Sequence, residues 1–425
     1  MKTRSRSDGP TIFLAVPAYR DPDLVPTVEN CIANAVRPGA LRFGICWQRD
    51  PSDPMLPFAG DRRFRFLEYD WHESKGIGWA RAECMSLFGG EDFYLQLDSH
   101  HRFVPEWDEK LIRCAELTGS SKPVLTSFAM PFSARDPDVV PTELPTMNFG
   151  RWDGNMPLFR PGIIAASKRL ARPIRARSIS AHFCFSIGDF VRDVPCDPEL
   201  FYYGADEITV AVRAFTSGYD LFHPPEPILS HAYAGARADR NTYWGDHADW
   251  WKQSNPSKAR VAEFLTNPHT EQFGCGTERT MADYEAYAGL SFRHCRAQNY
   301  THMNEEPPNP SSAPDWPEEP QDWSVRLTLK PSGFPSGFVE ADSWTVRLSD
   351  ALGGRVYNET LDRSEVSRLL VDGASPPIEL RFESSREPAA WSVHADREGP
   401  ELSVRGLVGR STDHGQAVID MVSMT

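Results

Sequence analysis

Leu95-Gln96-Leu97-Asp98-Ser99-His100 is an apolar run that ends in a carboxylate and, two residues later, an imidazole. An extended chain repeats its side-chain direction every two residues, so at the end of a strand Asp98 and His100 point the same way. This run is one of five short apolar stretches in the first 130 residues: Thr11–Val16, Leu41–Trp47, Phe64–Tyr69, Asp92–Leu97 and Val124–Met130. Between them, Leu24–Val36, Gly78–Phe88 and Glu106–Leu117 place apolar residues at helical spacing, as Val28, Cys31, Ile32 and Ala35 do. Apolar strands alternating with amphipathic helices predict an α/β class with a mainly parallel central sheet covered on both faces. Ligands of such sheets bind beyond the carboxyl ends of the strands. Pro17, Gln48 and Asp98 all fall at such ends.

An oxygen and a nitrogen ligand on one side suit a divalent cation that also takes phosphate oxygens. Mn²⁺ fits better than Mg²⁺ because imidazole is the softer ligand. Such a cation neutralises the charge that builds on a nucleoside diphosphate as a sugar–phosphate bond breaks. Spacing alone leaves a plainer reading open, with Asp98 capping the next turn and His100 a surface histidine. Three further features bear on it. Ser74-Lys75-Gly76-Ile77-Gly78-Trp79-Ala80-Arg81 opens a helix, where glycines let backbone approach a ligand, the N-terminus favours an anion, and Arg81 can hold a diphosphate or a carboxylate. Phe201-Tyr202-Tyr203-Gly204 leads through Ala205 into Asp206 and Glu207, acids that complement a helix dipole or bind sugar hydroxyls or an acceptor. His231, in Leu229-Ser230-His231-Ala232-Tyr233, either completes a metal shell or is structural.

Farther along, Ser133 to Arg177 is rich in Pro, Gly, Arg and Trp without clear periodicity, which predicts a long functional excursion. Regular structure is expected again at Ile179–Ile187, in a helix from Asp206 to Ser217, and in Tyr219–His223 and Ile228–Tyr233. Gly235 to Trp251 reads either as a lid over a donor or as a packed aromatic cluster. Pro, Glu, Asn and Ser crowd together from Gln298, as a linker does. Beyond it, Val325–Leu329, Trp344–Leu348, Ile378–Phe382 and Trp391–Ala395 alternate with period two, predicting a small antiparallel β-sandwich. The expected organisation is residues 10–297 as one α/β domain, 298–322 as linker and 323–425 as a β-rich accessory domain.

The chain has 425 residues and a formal charge of −14, which argues against nucleic acid as a partner. No apolar run approaches the roughly 20 residues of a membrane span, and nothing resembles a signal peptide, so a cytoplasmic location is expected. The eight cysteines include no Cys-x-x-Cys pair and mostly lie in apolar stretches, where they act as small hydrophobes rather than a disulfide scaffold.

Taken in order, these pieces resemble glycosyltransferase family 60, whose members include enzymes that transfer N-acetylglucosamine from UDP-GlcNAc to hydroxyproline, serine or threonine of polypeptides. The resemblance rests on Val16-Pro17-Ala18-Tyr19-Arg20, Phe43-Gly44-Ile45-Cys46-Trp47-Gln48, Gly76-Ile77-Gly78-Trp79-Ala80-Arg81 and Gln96-Leu97-Asp98-Ser99-His100. It continues with Tyr203-Gly204-Ala205-Asp206-Glu207, Thr216-Ser217-Gly218-Tyr219-Asp220, Ser230-His231 and Gly276-Thr277-Glu278-Arg279-Thr280. The metal motif is also similar to that of polypeptide N-acetylgalactosaminyltransferases, where an Asp-x-His pair and a distant histidine hold the cation. These resemblances imply a GT-A-like fold, with Asp98, His100 and His231 as ligands of Mn²⁺ or Mg²⁺. They imply a UDP-sugar pocket built by Pro17, Tyr19, Gln48, Gly78, Arg81 and Asp98, and a catalytic neighbourhood at Asp206 and Glu207. Both families retain anomeric configuration, so an α-linked product is implied. Two departures stand out: Ala205 occupies a position where an acid or another small residue is expected, and His182 one where a smaller residue is usual.

The expected activity is therefore metal-dependent, retaining transfer of GlcNAc or a close relative from a UDP-sugar to a hydroxyl of a protein or peptide. Two alternatives stay open: the same fold acting on a saccharide acceptor, and a non-catalytic protein that binds sugar or nucleotide. A nucleotidyltransferase is disfavoured, because the Gly-rich, lysine-containing loop it needs after the first strand is missing.

Overall fold

The computed structural model describes residues 9–132, 141–164, 170–201, 205–233, 241–311, 316, 321–327, 337–351, 353, 355–369, 378–384, 387–396, 402–408, 411–413 and 416–421. Two compact units emerge: residues 1–150, 156–293 and 300–314 in one, and residues 151–155, 294–299 and 315–425 in the other.

The first unit is built on strands β1 (Ile12–Tyr19), β2 (Leu41–Arg49), β3 (Phe64–Asp70), β4 (Phe93–Leu97), β5 (His101–Phe103), β6 (Pro123–Thr126) and β7 (Met130–Pro131). These are followed by β8 (Leu144–Asp153), β9 (Met156–Ile164), β10 (Ile174–Arg175), β11 (Phe183–Ile187), β12 (Asp220–His223), β13 (Leu229–His231) and β14 (Leu290–Ser291). Its helices are α1 (Leu24–Ala33), α2 (Ile77–Ser86), α3 (Trp107–Leu117), α4 (Phe190–Asp193), α5 (Ala205–Thr216), α6 (Tyr243–Asp246), α7 (Trp251–Thr266) and α8 (Met281–Ala288). Eight strands form the central sheet in the order β10-β12-β6-β11-β4-β1-β2-β3. β4, β1, β2 and β3 run parallel, as do β6 and β12. This is the expected α/β class with a mainly parallel sheet.

Antiparallel β11 is wedged between β4 and β6, and β10 closes one edge antiparallel to β12. The sheet is buried on both faces, which is why its strands read as continuous apolar runs. On one face Leu14, Val16, Phe43, Ile45, Leu95, Leu97 and Phe185 pack with Val28 and Cys31 of α1 and Trp107 and Leu111 of α3. On the other, Phe13 leaves so little space that a Cβ on Gly44 would meet its ring at 2.3 Å and the Cys84 carbonyl of α2 at 3.1 Å.

Three details differ from the sequence reading. The stretch Val124–Met130 is not one strand: β6 stops at Thr126, and β7 joins a separate three-stranded sheet, β5-β13-β7. Thr126 itself explains the stop, because its buried hydroxyl donates to the Phe183 carbonyl (2.8 Å) and accepts from the Ser180 amide (2.8 Å). The strand expected to begin at Ile179 begins at Phe183, after this Ser180 turn. The middle excursion contains the two-stranded β8/β9 sheet around Gly154, which has φ 58°. Gly154-Asn155, the two residues between β8 and β9, is a hairpin signal that composition alone obscured. Residues 133–140 and 165–169 of that excursion lie outside the described residues.

The second unit carries β15 (Arg296–Ala297), β16 (Gln321–Leu327), β17 (Ser343–Ser349), β18 (Arg355–Asp362), β19 (Ile378–Ser384), β20 (Ala390–Asp396), β21 (Leu402–Leu407), β22 (Ser411–Asp413) and β23 (Gln416–Met421). Two four-stranded sheets, β19-β16-β23-β22 and β18-β17-β20-β21, share one core of Val325, Leu327, Leu380, Trp344, Val346, Leu348 and Val393. Alternate residues of β16 and β17 feed that core, as the period-two pattern requires. The expected all-antiparallel arrangement fails at one pair: β16 and β23 run parallel. β16 lies near the start and β23 near the end of residues 315–425, so the chain between them is long enough for the crossover a parallel pair needs. Among the described residues, no helix is long and apolar enough to cross a membrane.

Candidate functional site

The residue pattern at the end of β4 is completed by strand pairing. β13 runs antiparallel to β5 with His231 opposite His101, and the Ala232 amide donates to the His100 carbonyl at 3.1 Å. This register carries His231, 133 positions downstream of Asp98, to the same place. Asp98, His100 and His231 each offer a ligand atom within 4.8 Å of the others. Asp98 Oδ2 is 3.4 Å from His231 Nε2 and 3.7 Å from His100 Nε2. His100 Nε2 and both ring nitrogens of His231 are buried without a hydrogen-bond partner. Buried polar atoms are rarely left so, and an ion is one of the standard reasons.

Burial pushes the His231 imidazole down to a pKa of about 3. Burial works to raise the Asp98 carboxyl, but His231, Arg81 and His100 outweigh it and hold Asp98 well below the usual carboxylate range. Neutral imidazole and ionised carboxylate are the protonation states in which these groups bind a cation. The donor set of one oxygen and two nitrogens fits Mn²⁺.

Around this trio lie groups the sequence reading did not single out. Asp21, in the turn after β1, accepts from His100 Nδ1 at 2.6 Å and from the Ser99 hydroxyl at 2.7 Å. His101 is fully buried, with Nδ1 3.0 Å from the Asp98 carbonyl. His182, noted in the sequence only as larger than expected, lays its ring on His231 with centroids 4.4 Å apart and planes 22° apart. Burial lowers the pKa of both His101 and His182 well below the ordinary histidine value. The signal for Asp21 was available: Arg20-Asp21-Pro22-Asp23 puts acids just past the carboxyl end of β1. Only pairing geometry shows which acid meets which histidine.

Arg81 is 5% exposed and reaches both Asp98 Oδ1, at 3.2 Å, and Asp206 Oδ2. Of the two partners the sequence allowed it, diphosphate or carboxylate, the structure shows carboxylate, twice. Asp206 and Glu207 occupy the first turn of α5. Glu207 accepts the Ala181 amide at 3.2 Å, and burial raises its carboxyl to a pKa of about 7. Tyr202, Tyr203 and Gly204, which lead into these acids, lie outside the described residues, as does the side chain of Ala205.

The remaining predicted residues gather in a second cluster. Pro17 is paired in register with Cys46 inside the sheet. Tyr19 donates its hydroxyl to Asp246 at 3.1 Å, and Arg20 pairs with the same carboxylate at 2.8 Å. Burial, then Asp246, raises the Tyr19 hydroxyl pKa above its ordinary value. Gln48 accepts from the Ser74 hydroxyl, and the Tyr243 hydroxyl lies 3.5 Å from the Ser74 carbonyl. Tyr19, Trp71, Tyr243 and His247 pack ring against ring. In the segment expected as lid or aromatic cluster, residues 241–250 show the aromatic packing, and residues 234–240 lie outside the described residues.

Gly78 faces the chain itself. A Cβ there would lie 2.1 Å from the Leu200 carbonyl oxygen and 2.8 Å from that of Asp197. Gly76, with φ 93°, is equally close to the Phe201 ring. The close approach these glycines permit is to residues 197–201.

No curated protein matches the chain. Among solved structures, GalNAc-T7 with UDP, GalNAc and Mn²⁺ is similar at 12% identity and a TM-score of 0.46, over 97% of this chain and 72% of that one. TarS 1–349 of S. aureus is similar at 10% identity and a TM-score of 0.39, over 65% of this chain and 68% of that one. The same TarS fragment in complex with UDP-GlcNAc gives the same identity and TM-score, with 70% of that chain covered. Residues 11–62 and 58–294 match the family described as glycosyltransferase (GlcNAc), a span that holds the whole central sheet, Arg81, Asp98, His100, Asp206, Glu207 and His231. With well over half of its length inside that match, the protein belongs to the glycosyltransferase (GlcNAc) family.

Proposed function

We propose that the protein is a metal-dependent, retaining glycosyltransferase of GT-A type, close to family 60, that transfers GlcNAc or a near relative from a UDP-sugar to a hydroxyl of a protein or peptide. The carrying observation is the convergence of Asp98, His100 and His231, with buried ring nitrogens that no protein group satisfies. A divalent cation bound there, Mn²⁺ by preference for imidazole, would neutralise the diphosphate that leaves the sugar. The catalytic domain on this reading is residues 10–297, followed by a linker at 298–322 and an accessory domain at 323–425.

The chain's own groups have separable tasks. Asp98, His100 and His231 fix the position of the diphosphate. Pro17, Tyr19, Gln48 and Arg81 frame the donor pocket, and Gly78 lets residues 197–201 pack against the start of α2. Arg81 also holds Asp206 beside Asp98, so the first turn of α5 stays against the donor side. In retaining transfer by front-face attack, the leaving phosphate itself takes the acceptor proton, and the protein supplies positioning and charge. Glu207, with a pKa of about 7, is partly protonated near neutrality and can donate a hydrogen bond to a sugar or acceptor hydroxyl.

The test is release of UDP from UDP-GlcNAc and other UDP-sugars, with Mn²⁺ and with EDTA, followed by peptide and glycan acceptors. Turnover that needs Mn²⁺ and speeds up with peptides supports the reading. Acceleration by glycans alone would move the acceptor to a saccharide. No turnover with any UDP-sugar would sink the enzyme reading.

A further inference from the structure

We infer that Asp21 is the positioning residue of His100: its buried carboxylate fixes the imidazole in the tautomer whose Nε2 lone pair faces Asp98. The inference deepens the proposed metal site and rests on it. The Asp21 side chain is 4% exposed, and its contacts form a closed set. Oδ2 accepts from His100 Nδ1 at 2.6 Å and from the Ser99 hydroxyl at 2.7 Å, and Oδ1 accepts the Asp23 amide at 2.9 Å. A carboxylate with these donors can only accept, so Nδ1 of His100 must carry the proton. A neutral imidazole then has its lone pair at Nε2, the buried nitrogen without a protein partner that lies 3.7 Å from Asp98 Oδ2. A carboxylate behind a metal-binding histidine sets the ring's orientation and makes the lone pair more basic.

A purely structural role is the competing reading, in which Asp21 ties the turn after β1 to residues 98–100. Residues 99–101 are also anchored independently of Asp21, to α1, because the Thr27 hydroxyl donates to the Ser99 carbonyl at 2.9 Å and accepts the His101 amide at 3.0 Å. Without Asp21, Nδ1 would lose its acceptor, and nothing would hold the proton off Nε2.

The experiment uses the full chain labelled with ¹⁵N-histidine, free of metal, with His100 assigned by comparison with a His100→Gln sample. Two-bond ¹H–¹⁵N correlations read the tautomer, and calorimetric titration with MnCl₂ reads affinity. Wild type should show His100 neutral and protonated at Nδ1. Asp21→Ala should move the proton toward Nε2 and weaken Mn²⁺ binding about 10–100-fold. Asp21→Asn keeps an acceptor without the charge, so it should preserve the Nδ1–H tautomer and bind Mn²⁺ less tightly than wild type. If Asp21→Ala does not fold, the wild-type tautomer and the near-isosteric Asp21→Asn decide. A wild-type His100 protonated at Nε2, or variants that bind Mn²⁺ as wild type does, would overturn the inference. A wild type that keeps the Nδ1–H tautomer but binds no Mn²⁺ overturns the metal reading, and the positioning role falls with it.

Discussion

Replacing Arg81 by alanine should cost stability as well as function, and the size of the loss follows from where the guanidinium sits. It is 5% exposed, and its side chain bridges Asp98 and Asp206, whose side chains are 22% and 14% exposed. Removing one partner of a buried pair strands the other charge, at a cost of about 3–5 kcal/mol. Neutral imidazole beside Asp98 cannot replace that charge, so both Asp98 and Asp206 lose their cation. Arg81→Ala should therefore unfold in urea with about 3–5 kcal/mol less stability, followed by tryptophan fluorescence. Adding Asp206→Ala to the same chain removes one stranded carboxylate, and the double variant should be more stable than the sum of the two singles by about 1–3 kcal/mol. A donor KM effect alone, with stability changed by less than about 1 kcal/mol, would refute the buried-bridge account and return Arg81 to a solvent-facing diphosphate role.

Other outcomes follow from the same geometry. His231→Ala should weaken Mn²⁺ affinity while leaving residual UDP-sugar turnover at high Mn²⁺; unchanged metal dependence would remove His231 from the site. Folded Glu207 titrates near 7 and its unfolded counterpart near 4.5, so the folded state holds a proton that the unfolded chain releases. Stability from this group thus falls as pH rises from about 4.5 to about 7 and is level above. Glu207→Gln should flatten that slope and be more stable than wild type at pH 8, by at most about 3 kcal/mol and less for its partial exposure; parallel urea midpoints at pH 5 and 8 would contradict it. Gly78→Ala forces a methyl against two backbone carbonyl oxygens and should cost about 1–3 kcal/mol, whereas Gly39→Ala, with nothing within 4 Å, should be silent in the same thermal melts.

Much of the fold was legible because the sheet is buried on both faces. β1 and β2 are continuous apolar runs, and α1 and α3 show their buried stripe in Val28, Cys31, Leu111 and Cys114. Direction was not legible: Phe183-Cys184-Phe185 reads the same in a parallel or an antiparallel strand, and β11 is antiparallel. At the site, Asp98 and His100 were readable from a two-residue period at a strand end. His231 needed the β5/β13 register; the acids after β1 marked Asp21 only as a candidate, and its pairing with His100, like the stacking of His182 on His231, is made through tertiary packing. Gly76 and Gly78 show the opposite failure. A Gly-rich helix start looks alike whether the neighbour is a phosphate or the chain's own Leu200 carbonyl.

The central claim is that Asp98, His100 and His231 together hold the cation on which sugar transfer depends. Mn²⁺ titration followed by the electron paramagnetic resonance of free Mn²⁺, in the presence of UDP, addresses it for wild type and Asp98→Ala in parallel. One tight site per chain in wild type, absent from a folded Asp98→Ala that has also lost UDP-GlcNAc turnover, is the predicted result. A folded Asp98→Ala that binds Mn²⁺ and turns over the donor as wild type does would contradict it.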